Sequence, residues 1–266
     1  FNMIKKFLSV AAIAALTASS AQAASFLNGG FEDNNLGGWT SGFGRWTTTA
    51  ALPTPSDYQP GGTKYNASPA SDNLVTNAGT DGILAGQGVT LNTVRYGNHS
   101  ALINLASYNA SISTIAQSVT NYSGTSINFS WAAVLEGAHG PTDASNFSVQ
   151  LINTDTSAVL YSNAFVANSG AIANGTFNNA GGGWYYAPWQ DISVPVAAGG
   201  NYSIILLASD CPYGGHIGYA YLDGFGTTQG GPGDNGNPGT NVPEPASLAL
   251  VGLGLAGLAA RRRKTA

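Results

Sequence analysis

Between Ile127 and Leu135 the chain reads "INFSWAAVL", with Ile127, Phe129, Trp131, Ala133 and Leu135 at every second position. A period of two lines one side of an extended strand with apolar groups, whereas a helix would scatter the same residues around its axis. The pattern returns at Phe147, Val149 and Leu151, and again at Ile192, Val194 and Val196. "NTDTS", between "FSVQLI" and "AVLYSNAF", predicts a hairpin turn, and "NYSIILLASD" and "IGYAYLDGF" add two later strands. Nothing in the body of the chain sustains a helical period over three turns. Short strands broken by Gly, Asn and Pro therefore predict an all-β fold, a single antiparallel β-sandwich.

The two ends obey different rules. Lys5 and Lys6 precede the apolar run "FLSVAAIAAL", and the small residues Ala21 and Ala23 frame an expected cleavage site, so residues 1–23 read as a signal peptide handed to the Sec translocon. At the other end, Ala246–Ala260 is rich in Ala, Leu and Gly and is followed by Arg261, Arg262, Arg263 and Lys264. As a helix it would span about 22 Å, short against a hydrocarbon core of about 30 Å. The basic cluster stays on the cytoplasmic side by the positive-inside rule. A short span with a charged stop suits a temporary anchor.

"VPEPASLALVGLGLAGLAARRRK" resembles the PEP-CTERM sorting signal of Gram-negative bacteria. The resemblance rests on Pro243, Glu244 and Pro245, the short apolar helix, and Arg261, Arg262 and Arg263, in that order. It implies that a membrane-embedded exosortase recognises the triplet and cuts nearby. The precursor is then anchored transiently in the inner membrane, and the mature form is delivered to the cell surface or extracellular matrix. Between these ends lie the β-domain, residues 24–226, and a Gly/Pro/Asn linker, residues 227–241. A long strand-poor excursion, Thr54 to Gly82, is expected to run over one end of the sandwich.

Charge narrows the partners. The whole chain carries −4, but from Ala24 to Val242 only Arg45, Lys64 and Arg95 oppose twelve Asp and Glu, leaving the exported body near −9. Such a surface repels phosphate backbones, so nucleic acid is excluded. Cys211, the single cysteine, rules out an intrachain disulfide and leaves an intermolecular cross-link open.

The body is similar to carbohydrate-binding, galactose-binding-like jelly rolls. "FLNGGFEDNNLGGW" resembles their opening strand and turn, "GNHSALINL" and "SISTIAQSV" their paired early strands, and "YAYLDGF" their closing strand. The resemblance implies that the terminal strands are neighbours. Glu32 and Asp33 would then meet Asp223 and could hold a structural Ca²⁺, the one cofactor the sequence suggests, against a plainer role capping turns. "GGGWYYAPWQ" groups Trp184, Tyr185, Tyr186 and Trp189 as candidate sugar-stacking residues, with Trp39 and Trp46 as additions. Alternation turns about half of such residues into the core.

Asp210, Cys211 and His216 in "SDCPYGGHIGY" make an incomplete set for either a thiol nucleophile or a zinc site. His99 and His139 sit in turn-like stretches and indicate no chemistry. Glycosidases use two carboxyls roughly 5–9.5 Å apart, and the mature body offers only Glu32 and Glu136 as glutamates. The expectation is a non-catalytic surface or matrix protein interacting with exopolysaccharide. The alternatives are a structural or adhesive protein working through protein contacts and, behind it, a polysaccharide hydrolase.

Overall fold

The structure is a computed structural model describing residues 24–234, apart from 48, 68–71 and 108. The signal peptide with Ala21 and Ala23, the Pro243-Glu244-Pro245 triplet, the apolar tail and Arg261–Arg263 lie outside the described residues. Among the described residues no helix is long and apolar enough to cross a membrane.

Eleven strands follow in chain order: β1 Thr40–Arg45, β2 Leu74–Asn77, β3 His99–Ile103, β4 Ser111–Val119, β5 Ser126–Glu136, β6 Asn146–Asn153, β7 Ala158–Val166, β8 Asn178–Gly181, β9 Trp184–Pro195, β10 Tyr202–Ser209 and β11 Gly218–Gly226. They form two sheets, ordered β1-β4-β10-β6-β7 and β2-β3-β11-β5-β9-β8, with every neighbouring pair antiparallel. The expected sandwich is what forms. One helix of five residues, α1 Gly82–Gly86, and a 3-10 turn at Pro55–Tyr58 are the helical pieces among the described residues.

The core lies between the sheets. Ile127, Phe129, Trp131, Ala133 and Leu135 from β5 face Phe147, Val149 and Leu151 from β6 and Ile204, Leu206 and Ala208 from β10. The period-two residues read from sequence thus bury together. Aromatic rings fill the layer, with Trp131 stacked on Phe147 at 4.5 Å and Phe165 on Phe177 at 4.3 Å. The β6–β7 hairpin turns at Asn153, whose side-chain oxygen accepts the backbone N–H groups of Asp155 and Thr156.

Four expectations change. The segment Ala24–Trp39 is a run of turns with one parallel bridge, Ala24 to Tyr122, and the first strand begins only at Thr40. Trp39 folds into the core, where its Nε1 donates to the Asn28 carbonyl at 3.1 Å. β3 and β4 are consecutive but not paired, because β3 joins β2 and β11 while β4 joins β1 and β10. The first and last strands likewise sit in different sheets.

The Thr54–Gly82 excursion contains β2, and it covers sheet faces rather than an end. Tyr58 lies with Trp46, Ile112 and Leu207 on the outer face of the five-stranded sheet. Gly44 makes room there, since a Cβ at that position would stand 2.5 Å from Tyr58 Cδ1. Asp234, from the segment read as linker, packs on the domain: it donates its N–H to Phe225 O, and its carboxylate accepts Thr227 N–H and hydroxyl.

Candidate functional site

Residues 78–98 form a strap over the outer face of the six-stranded sheet. Leu84 of α1 and Leu91 bury against Ala132 and Val134 of β5, Tyr219 and Tyr221 of β11, and Trp184 of β9. Asp81 holds the strap in place. Its Oδ1 accepts the Leu84 N–H at 2.9 Å, capping α1, while Oδ2 accepts the hydroxyls of Tyr219 at 2.7 Å and Tyr221 at 2.9 Å. Burial, followed by the nearby Asp81 charge, drives the ionisation of both tyrosines far above the ordinary phenol range. Both hydroxyls stay protonated donors.

The four aromatic residues of β9 divide. Tyr185 enters the core and donates its hydroxyl to Ala171 O at 2.9 Å. Trp184 is 8% exposed and supports the strap from below. Tyr186 and Trp189 are only half-buried at the edge of the same outer-face cluster. Simple alternation would have sent Trp189 the other way from Tyr186. A β-bulge prevents this: Trp131 pairs with Gln190 and Ala133 with Ala187, so Pro188 and Trp189 together oppose Ala132. The Trp189 Nε1 then donates to Asn92 O at 2.8 Å, fixing the indole against the strap.

Past the bulge, Asp191 continues the row. Its carboxylate pairs with the Arg95 guanidinium and accepts Tyr96 hydroxyl at 3.1 Å and Ser130 hydroxyl at 2.7 Å. The hydrogen-bonded Arg95 holds this carboxyl below the usual range. Both members of the pair remain about a third exposed. Two partly exposed aromatic residues therefore lead into an open charged and hydroxyl-bearing cluster along one strand. Trp46 lies on the other sheet and Trp39 in the core, so neither joins this row.

Glu32 and Asp223 meet at one segment, reached from a turn and from β11 rather than from neighbouring strands. Glu32 Oε1 accepts the N–H groups of Asn98 and His99 at 2.9 and 3.0 Å. Asp223 Oδ2 accepts those of Arg95 and Tyr96, both at 2.9 Å, and Oδ1 accepts Gly224 N–H. Burial pushes the Asp223 carboxyl up to about 7, against the pull of those donors. In this arrangement the carboxylates face N–H donors and fasten residues 95–99 to the sheet. Asp33 is not drawn in, and its own N–H donates to Asn28 Oδ1.

The glutamates do not form a catalytic pair. Asp223 aligns with Ser130 of β5, and Glu136 lies six residues further along that strand, about 20 Å away. Glu136 instead accepts the Ile217 N–H.

Asp210 turns away from Cys211 and into a buried network. It accepts Asn104 Nδ2 at 3.0 Å, Gly218 N–H at 3.2 Å and Ser111 hydroxyl at 3.1 Å, and burial raises its carboxyl to about 7. Cys211 is fully buried, so its thiol is not presented at the surface for the intermolecular cross-link that the sequence leaves open. Its Sγ lies 3.5 Å from His216 Nδ1.

Sequence reading missed Asp81 and Asp191. Asp81 stood directly before "GILAG" as an acidic residue in N-cap position, a recognisable signal. Asp191 carried no signal, because its partner Arg95 is 96 residues away.

Residues 241–264 match the PEP-CTERM protein-sorting motif. No curated protein matches the chain in sequence. Among solved structures, the chain is similar to TmCBM61 in complex with β-1,4-galactotriose, at TM-score 0.37 and 11% identity over 77% of this chain and 98% of that one. It is also similar to the K2 cleaved adhesin domain of Lys-gingipain (TM-score 0.32, 15% identity, 72% and 98% covered). A third likeness is to CBM28, a carbohydrate-binding module specific for non-crystalline cellulose (TM-score 0.31, 9% identity, 75% and 89% covered). At such identity and overlap, no residue's role passes from those proteins to this chain. The class is set by the chain itself: a two-sheet β-sandwich carrying a PEP-CTERM motif, which is a C-terminal sorting signal for export and membrane anchoring.

Proposed function

We propose that the sandwich is a non-catalytic glycan-binding domain that exosortase processing delivers to the cell surface or matrix, where exopolysaccharide is its ligand. The observation that carries this reading is the β9 row, in which Tyr186 and Trp189 stay partly exposed beside the open Arg95–Asp191 pair. Aromatic faces stack on the C–H faces of sugar rings, while a planar ion pair with unused lone pairs and N–H groups hydrogen-bonds hydroxyls. A neutral, hydroxyl-rich polymer also suits a body near −9. Sec-dependent export and anchoring in the inner membrane precede this role. Affinity electrophoresis of the full chain in gels containing the host's exopolysaccharide tests the reading. Retardation is expected, and equal mobility with and without the polymer would overturn it.

A further inference from the structure

At the end of the sandwich where β5, β10 and β11 exchange chain, residues 137–145 lie against the 210–217 turn. The turn is tight: Cys211 donates its N–H to His216 O at 3.0 Å and accepts Gly214 N–H at 3.1 Å. This closes the Cys211 thiol on the His216 ring from one side. His139 arrives from the other loop with a left-handed backbone, φ +62°, held by Ser169, whose N–H and hydroxyl both donate to its carbonyl. Its ring meets His216 edge-on at 4.7 Å and Tyr213 at 4.6 Å. Ligand atoms of His139, Cys211 and His216 all lie within 4.8 Å of one another. The His139 Nε2 is shut off from solvent and has no hydrogen-bond partner.

We propose that His139, Cys211 and His216 form a three-ligand site for Zn²⁺, independent of any glycan role. Zinc holds sulfur at about 2.3 Å and imidazole nitrogen at about 2.0–2.1 Å, so tetrahedral ligand atoms sit roughly 3.4–3.6 Å apart. The Cys211–His216 separation of 3.5 Å is already that distance. The widest pair must close by about 1 Å, within the reach of a small χ adjustment. A mere aromatic stack of His139, Tyr213 and His216 leaves the buried Nε2 without a partner, whereas a metal ion provides one. Thiolate and imidazole without carboxylate favour zinc over Ca²⁺ or Mg²⁺. His139 and His216 are half-buried, so the three ligands sit just beneath the surface. Three protein ligands leave one position for water or an incoming group.

The test is titration of the full chain with Co²⁺ as a spectroscopic substitute, then with Zn²⁺. One equivalent of Co²⁺ should give tetrahedral d–d absorption and a thiolate-to-cobalt charge-transfer band, and Zn²⁺ should displace it. His139→Asn keeps a residue that accepts the left-handed backbone, and Cys211→Ser removes only the sulfur. Each should weaken uptake at least tenfold while melting as the wild type does without metal. Absence of the band in the wild type, or wild-type affinity in either folded variant, would overturn the site.

Discussion

Asp81 and Tyr219 are 138 positions apart, yet the hydroxyl of one rests 2.7 Å from the carboxylate of the other. Through that bond, and its twin from Tyr221, a five-residue helix too short to persist alone is fastened to the sheet. Asp81→Ala should cost about 2–4 kcal/mol, since it removes the helix cap and strands two buried hydroxyls. Asp81→Asn keeps one acceptor oxygen and should cost less. Urea unfolding compares the two, and limited proteolysis within 78–98 reports whether the strap loosens first. Equal stability of Asp81→Ala and wild type would show that the strap is held by its apolar contacts alone.

Trp189→Ala and Tyr186→Ala should each weaken exopolysaccharide retention by about tenfold, or ~1.4 kcal/mol, without unfolding the domain. Tyr185→Ala should do the reverse, because its ring is core: stability falls by about 3 kcal/mol, and retention in the folded fraction is kept. Affinity electrophoresis and thermal melting of the same three variants separate the outcomes.

Stability should fall as pH rises from about 4 to about 7. Asp210 and Asp223 ionise near 7 when folded but near 3.8 when unfolded, so the native state holds more protons through this window and each unit of pH favours the unfolded chain. The losses from the two groups add and level off above pH 7. Below pH 4 the Arg95–Asp191 pair acts in the opposite sense, because its depressed carboxyl is stabilising only while ionised. Melting temperature should therefore peak near pH 4–5. A profile that rises steadily to pH 8 would contradict the buried, proton-holding state of the two aspartates.

Melting should be unchanged between added calcium and a calcium-selective chelator. Glu32 and Asp223 already receive backbone N–H groups, and an ion would have to displace them. A calcium-dependent rise that vanishes in Glu32→Gln would instead place the ion at this pair.

Replacing Pro243, Glu244 and Pro245 with alanine should leave the sandwich folded and trap the precursor in the membrane fraction. Immunoblots of membrane and released fractions read this directly, and unchanged release would remove the triplet from sorting.

The sequence by itself determined the central core strands and the sorting motif. Alternation at Ile127–Leu135 and Phe147–Leu151 is local, and burying such a face permits only one side of a sheet to point inward. The sorting motif is likewise contiguous, a string read along the chain at residues 241–264. Only the tertiary structure decided which strands pair, which of the β9 aromatics keep an exposed face, and which polar groups meet. β3 and β4 went to different sheets because sheet order depends on contacts across the whole chain. A one-residue bulge put Trp189 on the face of Tyr186, and alternation cannot foresee an inserted residue. Asp191 with Arg95, Asp81 with Tyr219, and His139 with Cys211 and His216 are all long-range meetings. A polar side chain is chosen by the partner that satisfies it, and sequence spacing does not record a partner seventy or more residues away.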